Sequence, residues 1–431
     1  MVKTTNALAV ASIDGLATVE CGIASIVHWF FEEFEGIAAT SAGLRDNDWS
    51  LYALAPRIDE RSSDFSPAVH RIVSDACGRH GGSFRWFDVE DTSSLKTVWS
   101  LDKPERWETM CAGLAAEVKR LCTEHARVTL VVHGVMLTAL REYLSEEDNL
   151  QIVFVAHSLG RVFDDKASNN RSMFEDRGFA AMQKFPQDRV AYIGSYFRSI
   201  LLDRYDLSPD KLVPMINAIP ESSFRFPNVD QEEAHRYLAS RGIPLDKRLY
   251  FSWGRCTGQK GFDALIPAFR TFLKTTPDAH LVLLMPQEVS PQDYIDLLDR
   301  ELSSIPEESV TVIREFDPLI PYFLLQHPAL FAAIFASRFE GAPLTVLETL
   351  RFGRSDLKIL WNDIPPMAQF LNGVENAIVM KSLSEEHIND ALREAENSPR
   401  LERQNQGGSY LDNISEGLAE ALNWWTEPSL A

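Results

Sequence analysis

Glu340 and Glu348 stand eight residues apart in the stretch Phe335-Ala-Ser-Arg-Phe-Glu-Gly-Ala-Pro-Leu-Thr-Val-Leu-Glu348. The apolar run Ala332 to Ala336 reads as a strand, Gly341 and Pro343 as a loop, and Thr345 onward as a helix. One carboxylate then sits on the loop and the other about one turn into the helix. The backbone N–H groups of Gly341, Ala342, Leu344 and Thr345 fall at the helix start, where amides lack intrahelical acceptors and favour an anion. Carboxylates read hydroxyls and such amides read phosphate. Together they suit a nucleotide-sugar.

A second cluster lies in Gly254-Arg-Cys-Thr-Gly-Gln-Lys-Gly261, between an apolar strand ending at Trp253 and a helical pattern from Phe262. Arg255 and Lys260 are two cations in one strand-to-helix loop. A departing diphosphate gains charge as its bond to the sugar breaks, and two cations would stabilise it. No Ser or Thr directly follows Lys260, so the loop lacks the full Walker pattern and a P-loop is not expected. In the first half of the chain, His157 follows a strand ending at Ala156, with Arg161, Lys166 and Arg171 further on. His133 follows the neighbouring strand, which ends at Val132. Asp46-Asn47-Asp48 has the D-x-D form of some metal–diphosphate sites, but it precedes a strand instead of following one and reads as a turn.

These residues need elements to hold them. Short β-branched and apolar runs recur between helical patterns: seven before residue 217 and six after residue 247. They are Ala7–Ile13, Leu51–Ala55, Ser83–Phe87, Val128–Val132, Ile152–Ala156, Val190–Gly194 and Leu212–Ile216, then Arg248–Trp253, Leu281–Met285, Val310–Ile313, Ala332–Ala336, Leu357–Trp361 and Ala377–Val379. Strands separated by single helices form parallel sheets buried on both faces, and two sets imply two such sheets. The predicted division is a first domain over 1–219, a polar and Pro-punctuated linker over 220–247, a second domain over 248–405, and a terminal segment over 406–431. Leu411, Ile414, Leu418, Leu422 and Trp425 form a helical stripe that should pack back on the body.

At 431 residues the chain exceeds one comfortable core. Its net charge of −20 argues against general nucleic-acid or anionic-lipid binding. Mean hydropathy is −0.15 and no run approaches membrane-spanning length. The five cysteines (Cys21, Cys77, Cys111, Cys122, Cys256) include no CxxC pair and suit free thiols in a reducing compartment. The expectation is a cytoplasmic protein.

Arg255…Lys260-Gly261 followed by Glu340-x7-Glu348 resembles the retaining glycosyltransferases of the GT-B fold, family 4 type. His157-Ser-Leu-Gly160-Arg161 is similar to the H-S-L-G-R segment of sucrose-phosphate synthase and its relatives. Pro214-Met-Ile-Asn217 resembles the segment ending that family's first domain, and Ala191-Tyr-Ile-Gly-Ser195 the strand before it. The resemblance implies an α/β GT-B architecture: two facing Rossmann-like domains with parallel sheets and an interdomain cleft. It implies that Arg255 and Lys260 hold the donor diphosphate, Glu340 the sugar hydroxyls and Glu348 the ribose. His157 would contact the donor sugar, Gly22 would let the first loop approach the phosphates, and His133, Arg161, Lys166 and Arg171 would face the acceptor. The donor would be a UDP-, GDP- or ADP-sugar and the acceptor small and hydrophilic. No cofactor or metal would be needed, and the protein would be a monomer or homodimer.

Three positions depart from the family pattern. Cys21-Gly22 stands where two glycines are common, Pro343 interrupts Glu-Gly-Phe-Gly-Leu and lacks an N–H, and Phe163 replaces the lysine that faces a phosphorylated acceptor. Other readings are a catalytically silent GT-B module binding a nucleotide or glycan, and a GT-B epimerase or phosphorylase.

Overall fold

The computed structural model describes residues 5–18, 22–45, 48–62, 64–89, 104–145, 147–162, 168–224, 230–287, 290–403 and 409–423. The chain divides into two compact units, Met1–Pro220 with Gly408–Ala431, and Glu221–Gly407.

In the first unit, β1 (Asn6–Ser12), β2 (Trp49–Pro56), β3 (Phe84–Phe87), β4 (Arg127–His133), β5 (Leu150–Ala156), β6 (Arg189–Tyr192) and β7 (Leu212–Pro214) form one sheet in the order 3-2-1-4-5-6-7. In the second, β8 (Arg248–Trp253), β9 (Ala279–Leu284), β10 (Val310–Ile313), β11 (Leu330–Phe335), β12 (Lys358–Asn362) and β13 (Ala377–Met380) follow the order 10-9-8-11-12-13. Every strand pairing is parallel. Each of the thirteen apolar runs read from the sequence is a strand, with ends shifted by a few residues.

Alternation along each strand explains the two-sided burial. Tyr250, Leu281, Leu283, Ala332 and Ile334 enter one core beneath the helices Phe262–Leu273 and Glu385–Asn397. Leu249, Phe251, Val282, Leu284, Ala333 and Phe335 enter the other, beneath Leu319–Gln326 and Leu344–Phe352. Successive side chains point to opposite faces, so a strand covered on both sides reads as a continuous apolar run. The strand order reverses between β1 and β4 and between β8 and β11, which makes the loops after those strands the places for a ligand.

Residues 220–247, read from the sequence as a linker, contain a 3-10 turn over Glu221–Phe224 and a helix over Gln231–Ser240. Asp230 caps that helix through the Glu233 N–H, and Leu238 and Ile243 are buried in the second unit's core. The terminal helix spans Tyr410–Leu422 and lies on the first unit, with Gly417 so close to the Pro214 carbonyl that a Cβ would sit 2.1 Å from it. Trp425 of the stripe lies outside the described residues. No helix among the described residues is long and apolar enough to cross a membrane.

The strands carrying His133 and His157 are tied by a fully buried ion pair. Arg141, in the 3-10 turn Val135–Tyr143 after β4, lies 2.9 Å from Asp188 just ahead of β6. Its other nitrogens donate to the carbonyls of Leu144 at 3.1 Å and Leu150 at 3.4 Å, and its guanidinium lies 3.6 Å from the centre of the Phe185 ring. Asp188 accepts in turn from the Ile152 N–H at 2.9 Å, within β5. Removing one partner leaves the other charge buried alone. Asp188→Ala should therefore lower unfolding free energy by about 3–5 kcal/mol in urea denaturation followed by circular dichroism. A loss below about 1 kcal/mol would show that the pair does not organise the sheet.

Candidate functional site

In the second unit, the loops after β8 and β11 are fastened together. Gly261 has φ of +70°, and a Cβ there would lie 2.0 Å from the Ala336 carbonyl oxygen, so only glycine brings the two loops this close. The Arg338 N–H donates to the Gln259 carbonyl at 2.7 Å. The Arg338 guanidinium grips Asp263 with contacts of 2.9 and 2.6 Å, and Tyr294 donates to the same carboxylate at 2.9 Å. Asn362, ending β12, holds the Ser337 carbonyl at 3.0 Å.

On this frame Lys260 Nζ lies 2.6 Å from Glu340 Oε1, with 13% and 7% of the two side chains exposed. The Lys260 stem folds over Gly254, where a Cβ would meet it at 2.9 Å. The two residues that the sequence assigns to phosphate and to sugar hydroxyls thus neutralise each other. Arg255 is exposed, and one of its nitrogens reaches Gln259 at 3.2 Å.

The helix Leu344–Phe352 begins directly after Pro343, whose carbonyl accepts from the N–H groups of Val346 and Leu347 at 3.0 and 3.1 Å. The N–H groups of Gly341, Ala342, Leu344 and Thr345 find no acceptor among the described residues. Glu348 lies on the same helix, partly buried. Desolvation pushes its carboxyl up to about 7, against the lowering effects of a hydrogen bond from Trp253 and the Lys260 charge. The sequence reading missed Trp253 as a site residue. Its only signal is an indole donor at the last position of a strand, next to Gly254.

In the first unit, His133 Nδ1 and His157 Nε2 are 2.7 Å apart, and the rings stack at 5.0 Å with 22° between planes. Both are buried. Desolvation lowers both, His157 to about 4, so the pair is neutral at pH 7 and one N–H is shared between the rings. The loop after His157 is sewn down by Glu175, which the sequence reading did not single out. Its carboxylate accepts from the Gly160 N–H at 2.8 Å, pairs with Arg171 at 2.7 Å and is met by Tyr205. Arg171 also donates to Ser158 at 2.8 Å and is 7% exposed. Arg161 pairs with Asp176 at 2.6 Å, its side chain 40% exposed.

Gly22 opens the helix Gly22–Glu32. Cys21, Phe163 and Lys166 lie outside the described residues, as do Asp46 and Asn47. Asp48 directly precedes β2, and its carbonyl accepts from the Asn6 N–H at 3.1 Å.

No family model matches the chain, and no curated protein matches its sequence. Solved structures do match. A sucrose-phosphate synthase from Thermosynechococcus elongatus is similar with TM-score 0.66 at 14% identity, over 97% of this chain and 94% of that one. A UDP-forming α,α-trehalose-phosphate synthase from Burkholderia xenovorans is similar with TM-score 0.63 at 15% identity, over 98% and 97%. The E. coli trehalose-6-phosphate structure bound with UDP-2-fluoro glucose is similar with TM-score 0.62 at 13% identity, over 97% and 95%. The chain has the GT-B fold, built from two α/β units with parallel sheets.

Because the folded Glu348 carboxyl is raised above its ordinary 4.5, the native state binds a proton more tightly than the unfolded chain. Its contribution to stability is present below pH 4.5 and is lost as pH rises through about 7. Relative to Glu348→Gln, the wild type should lose roughly 1–3 kcal/mol between pH 4.5 and pH 8 in urea denaturation. A difference that does not change with pH would overturn the assignment.

Proposed function

We propose that the protein is a glycosyltransferase of the retaining, family 4 type. It moves a hexosyl group from a nucleotide-diphosphate sugar to a small hydrophilic acceptor in the cytoplasm. The observation that carries this reading is the Lys260–Glu340 pair, set beside Arg255, Glu348 and four open amides at the strand ends flanking β8 and β11. Structural neighbours support it: two are named UDP-forming trehalose-phosphate synthases, one of them in complex with glucose-6-phosphate, and a third is bound with UDP-2-fluoro glucose.

In this mechanism Arg255 and Lys260 neutralise the diphosphate as its bond to the sugar carbon breaks. The amides of Gly341, Ala342, Leu344 and Thr345 add donors to the phosphates, one fewer than the family pattern because position 343 is proline. Lys260 must turn from Glu340 to phosphate, which frees the carboxylate for sugar hydroxyls. Glu348 takes the ribose. The acceptor oxygen bonds the sugar carbon on the face the diphosphate leaves, and the acceptor proton passes to the departing phosphate oxygen. No protein nucleophile and no metal is required, because the leaving group serves as base and the two cations carry its charge. His157 contacts the donor sugar and Gly22 the phosphates. His133, Arg161, Lys166 and Arg171 form the acceptor side, with Arg171 acting through the loop it holds to Glu175.

A panel of UDP-, GDP- and ADP-sugars tests the reading. The correct donor should raise the melting temperature by mass action and release its nucleoside diphosphate when an acceptor is supplied. Lys260→Ala and Glu340→Ala should each cost about 2–4 kcal/mol in transition-state stabilisation, measured as kcat/KM. Wild-type turnover in both variants would sink the assignment, and a shift without turnover would favour a silent binding module.

A further inference from the structure

The side chain of Gln259 lies between groups that the proposed mechanism gives to different parts of the donor. Its Oε1 accepts from Arg255 Nη2 at 3.2 Å. Its Nε2 donates to the Phe339 carbonyl at 3.1 Å and approaches Glu340 Oε2 at 3.5 Å. Glu340 Oε1 is held by Lys260 at 2.6 Å, so two successive residues of one loop address the two oxygens of one carboxylate. The main chain closes the same link, since the Gln259 carbonyl accepts from the Arg338 N–H at 2.7 Å.

A primary amide matches this place on both sides. A guanidinium only donates, and the amide offers it an oxygen; a carbonyl and a carboxylate only accept, and the amide offers them an NH2 group. The reverse orientation would set donor against donor and acceptor against acceptor, so the partners fix the amide. Glutamate has the same shape but would place a second negative charge against Glu340 and an acceptor against the Phe339 carbonyl.

We infer that Gln259 is a positioning residue of the donor site. It orients the Glu340 carboxylate for sugar hydroxyls and ties that orientation to Arg255, so that diphosphate binding and sugar reading are coupled. This rests on the donor reading above. Gln259 is partly exposed and lies outside both cores, so substitution leaves the fold intact.

The test uses the full chain and the donor found in the panel. Gln259→Met, similar in length but without the amide, should lower turnover about 10- to 100-fold while the thermal shift from nucleoside diphosphate alone persists. Gln259→Glu should lower turnover at least as far. In a Glu340→Gln background, the Gln259→Met change should alter turnover by less than about 3-fold, because the group it acts through is already changed. Equal losses in both backgrounds, a lost nucleoside-diphosphate shift in Gln259→Met, or a Gln259→Glu variant as active as wild type would each overturn this inference alone. A wild type that responds to no nucleotide or nucleotide-sugar would overturn it together with the reading it rests on.

Discussion

A parallel sheet covered by helices on both faces leaves no room for chemistry along its strands. Every residue of β11 and every apolar residue of β8 is committed to one core or the other, and the backbone is committed to its neighbours. Polar function is therefore pushed to the strand ends. There the chain turns into a helix and its first amides have no partner. The order of strands decides which ends stand apart, and in both units the reversal falls beside the first strand of the sheet. Arg255, Lys260 and Glu340 in the second unit and His133 in the first occupy those ends, and His157 stands at the end of the next strand, β5.

Holding charges at such an end requires balance. Lys260 and Glu340 are both largely covered by protein, and either alone would carry a desolvation cost. Paired, they offset each other's charge without a ligand, and in the proposed reaction they exchange that pairing for phosphate and hydroxyls. Among the described residues Glu348 has no such ion-pair partner. Trp253 and the more distant Lys260 charge do not offset its burial, and it sits near neutrality between its two protonation states. Arg338, Asp263 and Tyr294 form a second set of contacts around these loops. They fix the spacing of the two loops so that the Lys260–Glu340 contact forms at all.

The first unit solves the same problem with neutral groups. The two histidines hydrogen-bond each other, and Arg171 and Arg161 are paired with Glu175 and Asp176. Arg161 and Arg171, expected from the sequence to face the acceptor, also make contacts that hold the loop after His157. Arg171 shows this most clearly, because its guanidinium is spent on Glu175 and Ser158.

The amino-acid order by itself determined the thirteen strands, the parallel class and the loops that hold the candidate residues. Those features rest on local periodicity and on turn residues such as Gly254, Gly261 and Pro343, and both are visible in a short window. The terminal helix was legible for the same reason. The helix at Gln231–Ser240 was not, since only Leu238 within it is buried and its periodic signal is thin. Tertiary structure alone decided the partners. Lys260 and Glu340 are 80 residues apart, Arg141 and Asp188 meet across β5, and Trp253 reaches Glu348 from another element. Which side chains meet depends on strand register and on how closely two loops approach, and these are set by packing across the whole sheet. A spacing in the sequence names the candidates, but only the folded chain shows which of them hold one another.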